Sequence, residues 1–229
     1  MPNNLIYWGV KRVKISLKRR LLTDNKAAIG IGEMIIFIAM ILVAGIAASV
    51  IIQTMNSLQQ QAMQTAEETV GEISSGLKIT HISGYSNGSK ITQLAIFLTT
   101  TAASRDIDLT YTYVPLSDTN NQVILTYNGS CFSNSVSNGL FGTLNSSNLT
   151  ATIYGVMVVR DVDNSCSSST PILNSDDLVV ILINTSKCFS GISKRTEVTG
   201  SVIPERGMSG LMGFTTPSAY IDTIIELYP

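Results

Sequence analysis

The N-terminal third of the chain contains one uninterrupted apolar run. Nineteen residues, from Met34 to Ile52, include no charged side chain. As a helix rising about 1.5 Å per residue, the run is ~28 Å long, close to the ~30 Å hydrocarbon core of a bilayer. Because it is apolar on every side, such a helix needs lipid or several other helices around it. The pattern therefore predicts a membrane-length helix.

Helical spacing continues beyond this run. Apolar residues recur every three or four positions, at Met55, Leu58, Ala62, Ala66, Val70, Ile73 and Leu77. This spacing is typical of an apolar stripe along one helix. Ser74-Ser75-Gly76 then supplies a C-terminal stop. We predict one helix over roughly residues 31–74, ~65 Å long, which the rest of the chain cannot bury alone.

After Gly76 the period of the apolar residues changes from helical to alternating. Strands are predicted over residues 77–83, 90–100, 107–115, 122–128, 149–160, 177–185, 195–203 and 220–228, separated by Asn-, Gly- and Ser-rich turns. So many short strands favour a β-sandwich or barrel. The predicted fold class is α+β: one long N-terminal hydrophobic helix, then an all-β domain of Ig-like or jelly-roll-like kind. Residues 129–147 are predicted to form an exposed excursion.

Charge divides the chain into two unlike parts. Residues 1–27 carry seven basic groups and one acidic group, whereas residues 28–229 carry eight basic and fifteen acidic groups. A basic block directly before a membrane-length helix places residues 1–33 in the cytoplasm and the bulk of the chain outside. Nucleic-acid binding is not expected, because the block adjoins a membrane segment and no basic face follows it.

The residues around the start of the apolar run form a recognisable motif. Lys26 to Ala44 reads KAAIGIGEMIIFIAMILVA, which resembles the class III signal peptide of the archaellins, type IV pilin-like filament subunits. The resemblance implies that a prearchaellin/prepilin peptidase cuts between Ala27 and Ala28. Lys26, Gly30 and Gly32 then belong to the processing motif, and the glycines, as poor helix formers, delay the helix until just beyond the cut.

Other kinds of processing remain open. A small-residue site at residues 47–49 would suit an ordinary secretory signal, and an uncut signal anchor is a further alternative. A cut between Ala28 and Ile29 would put Glu33 at the fifth mature position, as in bacterial-type pilins, whereas archaellins usually have Thr at the position of Glu33. This carboxylate either pairs with a neighbour's N-terminal ammonium or stays solvated at the membrane interface.

The β region shows the same resemblance. Segments 72–79, 90–99 and 177–184, the run from Thr196 to Pro217 and the terminal Leu227-Tyr228-Pro229 are all similar to archaellin motifs. The middle, 116–170, departs most. The implied organisation is a cleaved class III signal peptide (1–27), a long helix that lies first in the membrane and then in a filament core (28–76), and an external β-sandwich domain (77–229).

The resemblance implies a structural subunit of the archaellum, an extracellular filament for swimming and possible adhesion, rather than an enzyme. The filament core would contain Glu33, Phe37, Met40, Ile41 and Leu42. Expected partners are other archaellins, the peptidase, the secretion ATPase and its membrane platform, an oligosaccharyltransferase, and the membrane before assembly. The alternatives are a pilin-like adhesion subunit and a monomeric membrane-anchored binding ectodomain.

Two residue types suggest external modification. Sequons for N-glycosylation occur at Asn87, Asn128, Asn145, Asn148 and Asn184. Cys131, Cys166 and Cys188 also lie after the apolar helix and allow one disulfide with one thiol left over. Cys166–Cys188 is the favoured pair, with Cys131–Cys188 and no bridge left open.

Motifs for catalysis are weak or lacking in the sequence. His81 is the only histidine, and neither a P-loop nor a dinucleotide glycine pattern occurs. No cofactor is therefore expected. Asp161 and Asp163 are spaced so that their oxygens could hold Ca²⁺, although the distant Glu of an EF-hand loop is missing. Asp176-Asp177 is interpreted as a turn that enters a strand.

Overall fold

A computed structural model describes the backbone of residues 13–102 and 104–228, and the side chains of residues 29–102 and 104–228. The chain divides into two compact units, Met1–Gln64 and Thr65–Pro229. The helix α1 (Val13–Ser74) forms the described part of the first unit and ends within the second.

The end of α1 matches the prediction, but its start does not. The helix begins at Val13 rather than near residue 31, so Gly30 and Gly32 lie inside it instead of delaying it. Each glycine costs a helix only about 1 kcal/mol relative to alanine. Two such residues are not enough to interrupt a helix whose neighbouring residues favour it.

The described part of the second unit is mainly β-structure. Its strands are β1 (Leu77–Ser86), β2 (Ile91–Thr100), β3 (Ile107–Asp108), β4 (Tyr113–Ser117), β5 (Gln122–Ser133), β6 (Ile153–Arg160), β7 (Ile172–Leu173), β8 (Leu178–Ile183), β9 (Glu197–Val202), β10 (Gly210–Thr215) and β11 (Ile224–Tyr228). A 3-10 turn, Leu109–Tyr111, lies between β3 and β4, and a short helix, α2 (Thr185–Phe189), follows β8.

Nine of these strands form one curled sheet. Their order is β10-β9-β4-β5-β6-β8-β2-β1-β11, and β3 pairs separately with β7. Within the described sheet, neighbours are antiparallel except for the parallel pair β5 and β6. The Leu77 N–H donates to the Met208 carbonyl oxygen at 3.0 Å, which brings the start of β1 to the segment before β10. The predicted class, a long helix followed by a β-sandwich or barrel, is confirmed, and the sheet is nearly barrel-like.

Apolar side chains are buried on both faces of the central strands. In β8, Val179, Ile181 and Ile183 join the larger, inner cluster. Val180 and Leu182, which alternate with them, join a second cluster on the outer face. This arrangement explains why β8 reads as a continuous apolar run rather than an alternating one.

The second cluster corrects part of the prediction that residues 129–147 form an exposed excursion: most of these residues are exposed, but Cys131, Phe141 and Leu144 are buried. β5 extends to Ser133, and Phe141 and Leu144 pack onto the outer face of the sheet. A Cβ added to Gly155 would lie 2.5 Å from Leu144 Cδ1, so glycine at this position allows the close approach. The prediction relied on the polar composition of the segment and did not take account of the few apolar residues that attach it to the sheet.

Three smaller elements also differ from the prediction. The 3-10 turn interrupts the predicted strand 107–115, and the Asp108 carboxylate accepts a hydrogen bond from the Thr110 N–H at 2.8 Å at its start. The sequence analysis missed α2, which at five residues is too short to show a helical period. It also missed β10, although its residues alternate between buried and exposed.

Tyr154 fastens the 3-10 turn to β6. Its hydroxyl lies 3.1 Å from the Leu109 carbonyl oxygen and 3.2 Å from the Thr112 carbonyl oxygen, and its side chain is fully buried. Burial raises the pKa of the phenol, so it stays protonated and keeps donating. The hydroxyl is therefore a structural donor inside the barrel.

We expect Tyr154→Phe to lower the free energy of unfolding by about 1 kcal/mol, because two buried carbonyl oxygens lose a donor. Tyr127→Phe is the matched control, since its hydroxyl donates to the exposed Ser168 carbonyl oxygen, which water can replace. Denaturant titration of the full chain in detergent measures both. An equal loss in the two variants would contradict the role given to Tyr154.

Candidate functional site

The first unit carries a dense set of exposed apolar side chains. Phe37 is 62% exposed, Met40 68%, Ile41 55% and Leu42 61%. Every large apolar residue that the structure describes between Ile29 and Met63 has more than half of its surface open. The four apolar residues predicted for a filament core are therefore brought together on one helix and are left uncovered in the single subunit.

Such a surface cannot remain in water. Burying one large aliphatic or aromatic side chain contributes about 1.5–3 kcal/mol, so covering this helix is worth tens of kcal/mol as an upper bound. The segment Ile29–Ser74 is long and apolar enough to cross a bilayer, as judged by length and composition. Lipid and a bundle of identical helices are the two environments that can cover it on every side.

The processing motif lies at the N-terminal side of this surface. Glu33 is exposed on α1. A Cβ added to Gly30 or Gly32 would meet nothing within 4 Å, so packing inside the described subunit does not require glycine at these positions. The side chains of Lys26, Ala27 and Ala28 lie outside the described ones.

Four of the five sequons are exposed. Asn87, Asn128, Asn145 and Asn148 all lie at the surface of the second unit. The Asn128 side-chain oxygen accepts from both the backbone and the hydroxyl of Ser130, at 3.0 and 2.8 Å. Glycosylating machinery could reach these asparagines in the folded subunit.

Asn184, in the fifth sequon, is buried. It is only 6% exposed, and its side-chain amide donates to the Ser146 carbonyl oxygen at 3.0 Å. Thr185, the next residue of its sequon, is fully buried and donates its hydroxyl to the Ile91 carbonyl oxygen at 2.8 Å. The folded structure therefore uses this sequon for packing.

The structure does not join the three cysteines. All are free thiols: Cys131 lies in the outer cluster and Cys166 in the inner cluster, on opposite faces of the sheet. Cys188 lies beside the Ala151 carbonyl oxygen. Burial raises the pKa of Cys188 to about 11, and burial together with the nearby Asp161 and Asp177 carboxylates raises that of Cys166 to about 12. These two thiols are poor nucleophiles at neutral pH.

Asp161 and Asp163 do come together, and the structure adds Asp177, which the sequence analysis assigned to a turn. One carboxylate oxygen from each lies within 4.8 Å of the others. The Asp163 pKa is lowered, first by its hydrogen bond with Ser165. An all-oxygen set of this kind suits a hard cation such as Ca²⁺. Backbone N–H groups already satisfy both oxygens of the fully buried Asp177.

Sequence analysis gave no role to Arg105, which ties the end of α1 to the sheet. Its N–H donates to the Ser75 hydroxyl at 3.0 Å, and its guanidinium donates to the Glu67 carbonyl oxygen at 3.3 Å. A Cβ on Gly71 would lie 2.9 Å from the guanidinium carbon, so glycine lets the side chain lie flat on the helix. Nothing in the local sequence of Arg105 indicates this long-range contact.

Comparison with known proteins covers both units. The archaeal-type flagellin family matches residues 27–214. Flagellin B2 of Methanocaldococcus jannaschii is 40% identical over 210 residues, which cover 90% of this chain and 97% of the relative. Flagellin B5 of Pyrococcus abyssi is 39% identical over 220 residues, which cover 89% of this chain and 99% of the relative.

Comparison with solved structures shows the same similarity. The crystal structure of archaeal flagellin FlaB1 from Methanocaldococcus jannaschii matches with a TM-score of 0.60 at 30% identity, covering 67% of this chain and 96% of that chain. The archaeal flagellum of Methanospirillum hungatei strain JF1 has the same fold, with a TM-score of 0.57 at 18% identity over 86% of this chain and 98% of that chain. Since the similarity includes the β-sheet as well as the helix, a pilin-like adhesion subunit is not favoured. The chain belongs to the archaeal-type flagellin family.

Proposed function

We propose that this chain is a structural subunit of the archaellum filament and polymerises through its N-terminal helix. The observation that carries the proposal is the uncovered apolar surface of α1, from Ile29 to Met63. Helices of neighbouring subunits would cover it in a filament core, and the β-domains, each with its own core, would face outward. Such a subunit catalyses no reaction.

The same surface implies a membrane stage. Before assembly, the apolar segment Met34–Ile52 of α1 would lie in the bilayer, with the basic residues 1–27 on the cytoplasmic side. A prearchaellin/prepilin peptidase would then remove residues 1–27. A secretion ATPase and its membrane platform would supply the work that moves helices from lipid into the filament. Residues 28–76 would form the core and residues 77–229 the external domain.

Glu33 would enter the core with its charge. A buried carboxylate is costly unless it is paired. The new α-amino group of a neighbouring mature chain, five residues upstream of Glu33 in sequence, is the cation that cleavage would create. Cleavage would therefore supply the partner that the apolar core lacks.

The first prediction concerns processing. The mature subunit should begin Ala-Ile-Gly-Ile-Gly, because Lys26 and the small residues Ala27 and Ala28 match the class III pattern. N-terminal sequencing or intact mass of purified filaments measures this. A chain that begins at Ile29 would move the cut by one residue, and a chain that still carries Met1 would contradict the proposed processing.

The second prediction concerns assembly. Ile41→Lys should be exported but should not polymerise, because a lysine buried in an apolar helix bundle costs several kcal/mol in every subunit. Ile221→Lys is the matched control: Ile221 is 90% exposed but lies in the β-domain, and filaments should form. Sedimentation and electron microscopy of the cell supernatant measure the result. Normal Ile41→Lys filaments would refute a buried core at this position.

The third prediction concerns an oligosaccharyltransferase acting on the external domain. Asn128, Asn145 and Asn148 should be modified most fully, Asn87 should also be modified, and Asn184 should stay bare because its side chain is buried. Glycopeptide mass spectrometry of native filaments gives the occupancy of each site. A glycan on Asn184 with none on the exposed sites would contradict the assignment of the domain's outer surface.

A further inference from the structure

The two ends of the β-domain carry opposite charges. At one end, the segment 184–196 around α2 contains Lys187, Lys194 and Arg195 and no acidic residue, and all three are exposed. Lys187 donates to the Ser147 carbonyl oxygen at 3.2 Å, and the Lys194 ammonium lies 5.6 Å from the centre of the Tyr220 ring. Both contacts are with uncharged groups, so they leave the positive charge of this end in place. We call these three residues the basic end.

The other end holds an acidic cleft. It has a volume of about 460 Å³ and is lined by five carboxylates, from Glu68, Glu72, Asp106, Asp108 and Glu205, against two guanidinium groups, from Arg105 and Arg206. The Arg105 guanidinium donates to the uncharged Glu67 carbonyl oxygen, so its positive charge also remains, and the carboxylates still outnumber the guanidinium groups by three. The cleft therefore presents a net negative surface in the isolated subunit.

Strand register shows that these features lie at opposite ends of the sheet. Leu77 pairs with Thr100 beside the cleft, and Ser86 pairs with Ile91 at the far end of the same two strands. Ile91 is bonded to Ile192, which places segment 184–196 at that far end. Ten residues of β1 separate the ends, a distance of ~30 Å at about 3.3 Å per residue.

We propose that the basic end of one subunit docks into the acidic cleft of a second copy of this chain. The contact joins two different surfaces of identical subunits, so it is heterologous: it repeats from one subunit to the next, and it builds a helical array where the rotation between neighbours does not close a ring. Charge complementarity selects a second copy as the occupant, because the chain itself carries both complementary surfaces. The inference rests on the proposed filament function and adds the contact between external domains.

Charge reversal with rescue tests the contact. Full-length chains are expressed in cells whose own copy is deleted, and the subunit fraction in sedimented filaments is measured. Lys187→Glu/Lys194→Glu/Arg195→Glu and, separately, Glu72→Lys/Asp106→Lys/Glu205→Lys should each lower that fraction at least about tenfold, since like charges then face each other. Combining the two sets restores opposite charges and should return the fraction to within about threefold of the original chain.

Matched controls separate this contact from general effects. Glu226→Lys changes one exposed charge in β11, where Glu226 pairs with Ser83 midway between the two ends, and should leave the filaments unchanged, whereas Lys187→Glu alone should reduce them. Circular dichroism of each variant verifies that the β-domain is folded. Unaffected filaments in either triple variant, or a combined variant no better than its parents, would overturn the proposal. Absence of filaments from the original chain would instead refute the filament function.

Ionic strength gives a second readout. The Debye length shrinks from about 10 Å at 0.1 M to about 3 Å at 1 M salt, which weakens contacts between exposed charges but not the apolar helix core. The disassembly temperature of the original filaments should therefore fall as NaCl is raised. In Lys187→Gln/Lys194→Gln/Arg195→Gln filaments this dependence should be reduced at least about twofold. Equal salt dependence in the two would contradict the charged contact.

Discussion

The need to cover one apolar helix governs the rest of this molecule. From Met34 to Ile52 the helix has no charged side chain to face water, and its apolar residues are exposed in the subunit. The β-domain does not depend on that helix segment for its own core, because the inner and outer clusters are built from residues 77 onward. The helix is therefore the part that needs a partner to bury its apolar surface. The core of the external domain does not depend on such a partner.

Residues 65–74 of the helix are firmly attached to the sheet. The Thr101 hydroxyl donates to the Ser74 carbonyl oxygen at 2.9 Å, and the Met208 N–H donates to the Ser75 carbonyl oxygen at 2.8 Å. The first of these bonds satisfies the Ser74 carbonyl, one of the four carbonyl groups that a helix leaves without an internal partner at its C-terminus. The helix end is thus joined to the sheet by several hydrogen bonds as well as by the covalent chain.

The period of the apolar residues predicted the long elements, and the strands whose residues either alternate regularly or are all apolar. It located the end of α1 at Ser74 and the position of β8, because both depend on local pattern. It could not show that Phe141 attaches a polar segment to the outer face, or that Asp177 joins Asp161, because these contacts depend on the order of strands in the sheet. The helix start was misplaced since glycine propensity is a weak local preference that a long helix overrides.

Apolar and charged contacts would contribute different properties to a filament. Hydrophobic burial is large but non-directional, so a core of helices such as α1 gives affinity while tolerating sliding between neighbours. Complementary charges fix register and reject wrong alignments more than they add affinity. The basic end and the acidic cleft are about 30 Å apart along the strands. Each subunit therefore offers one positively charged and one negatively charged surface to its neighbours. In such a filament the charged contact would give every subunit the same orientation, and the helices would hold the filament together.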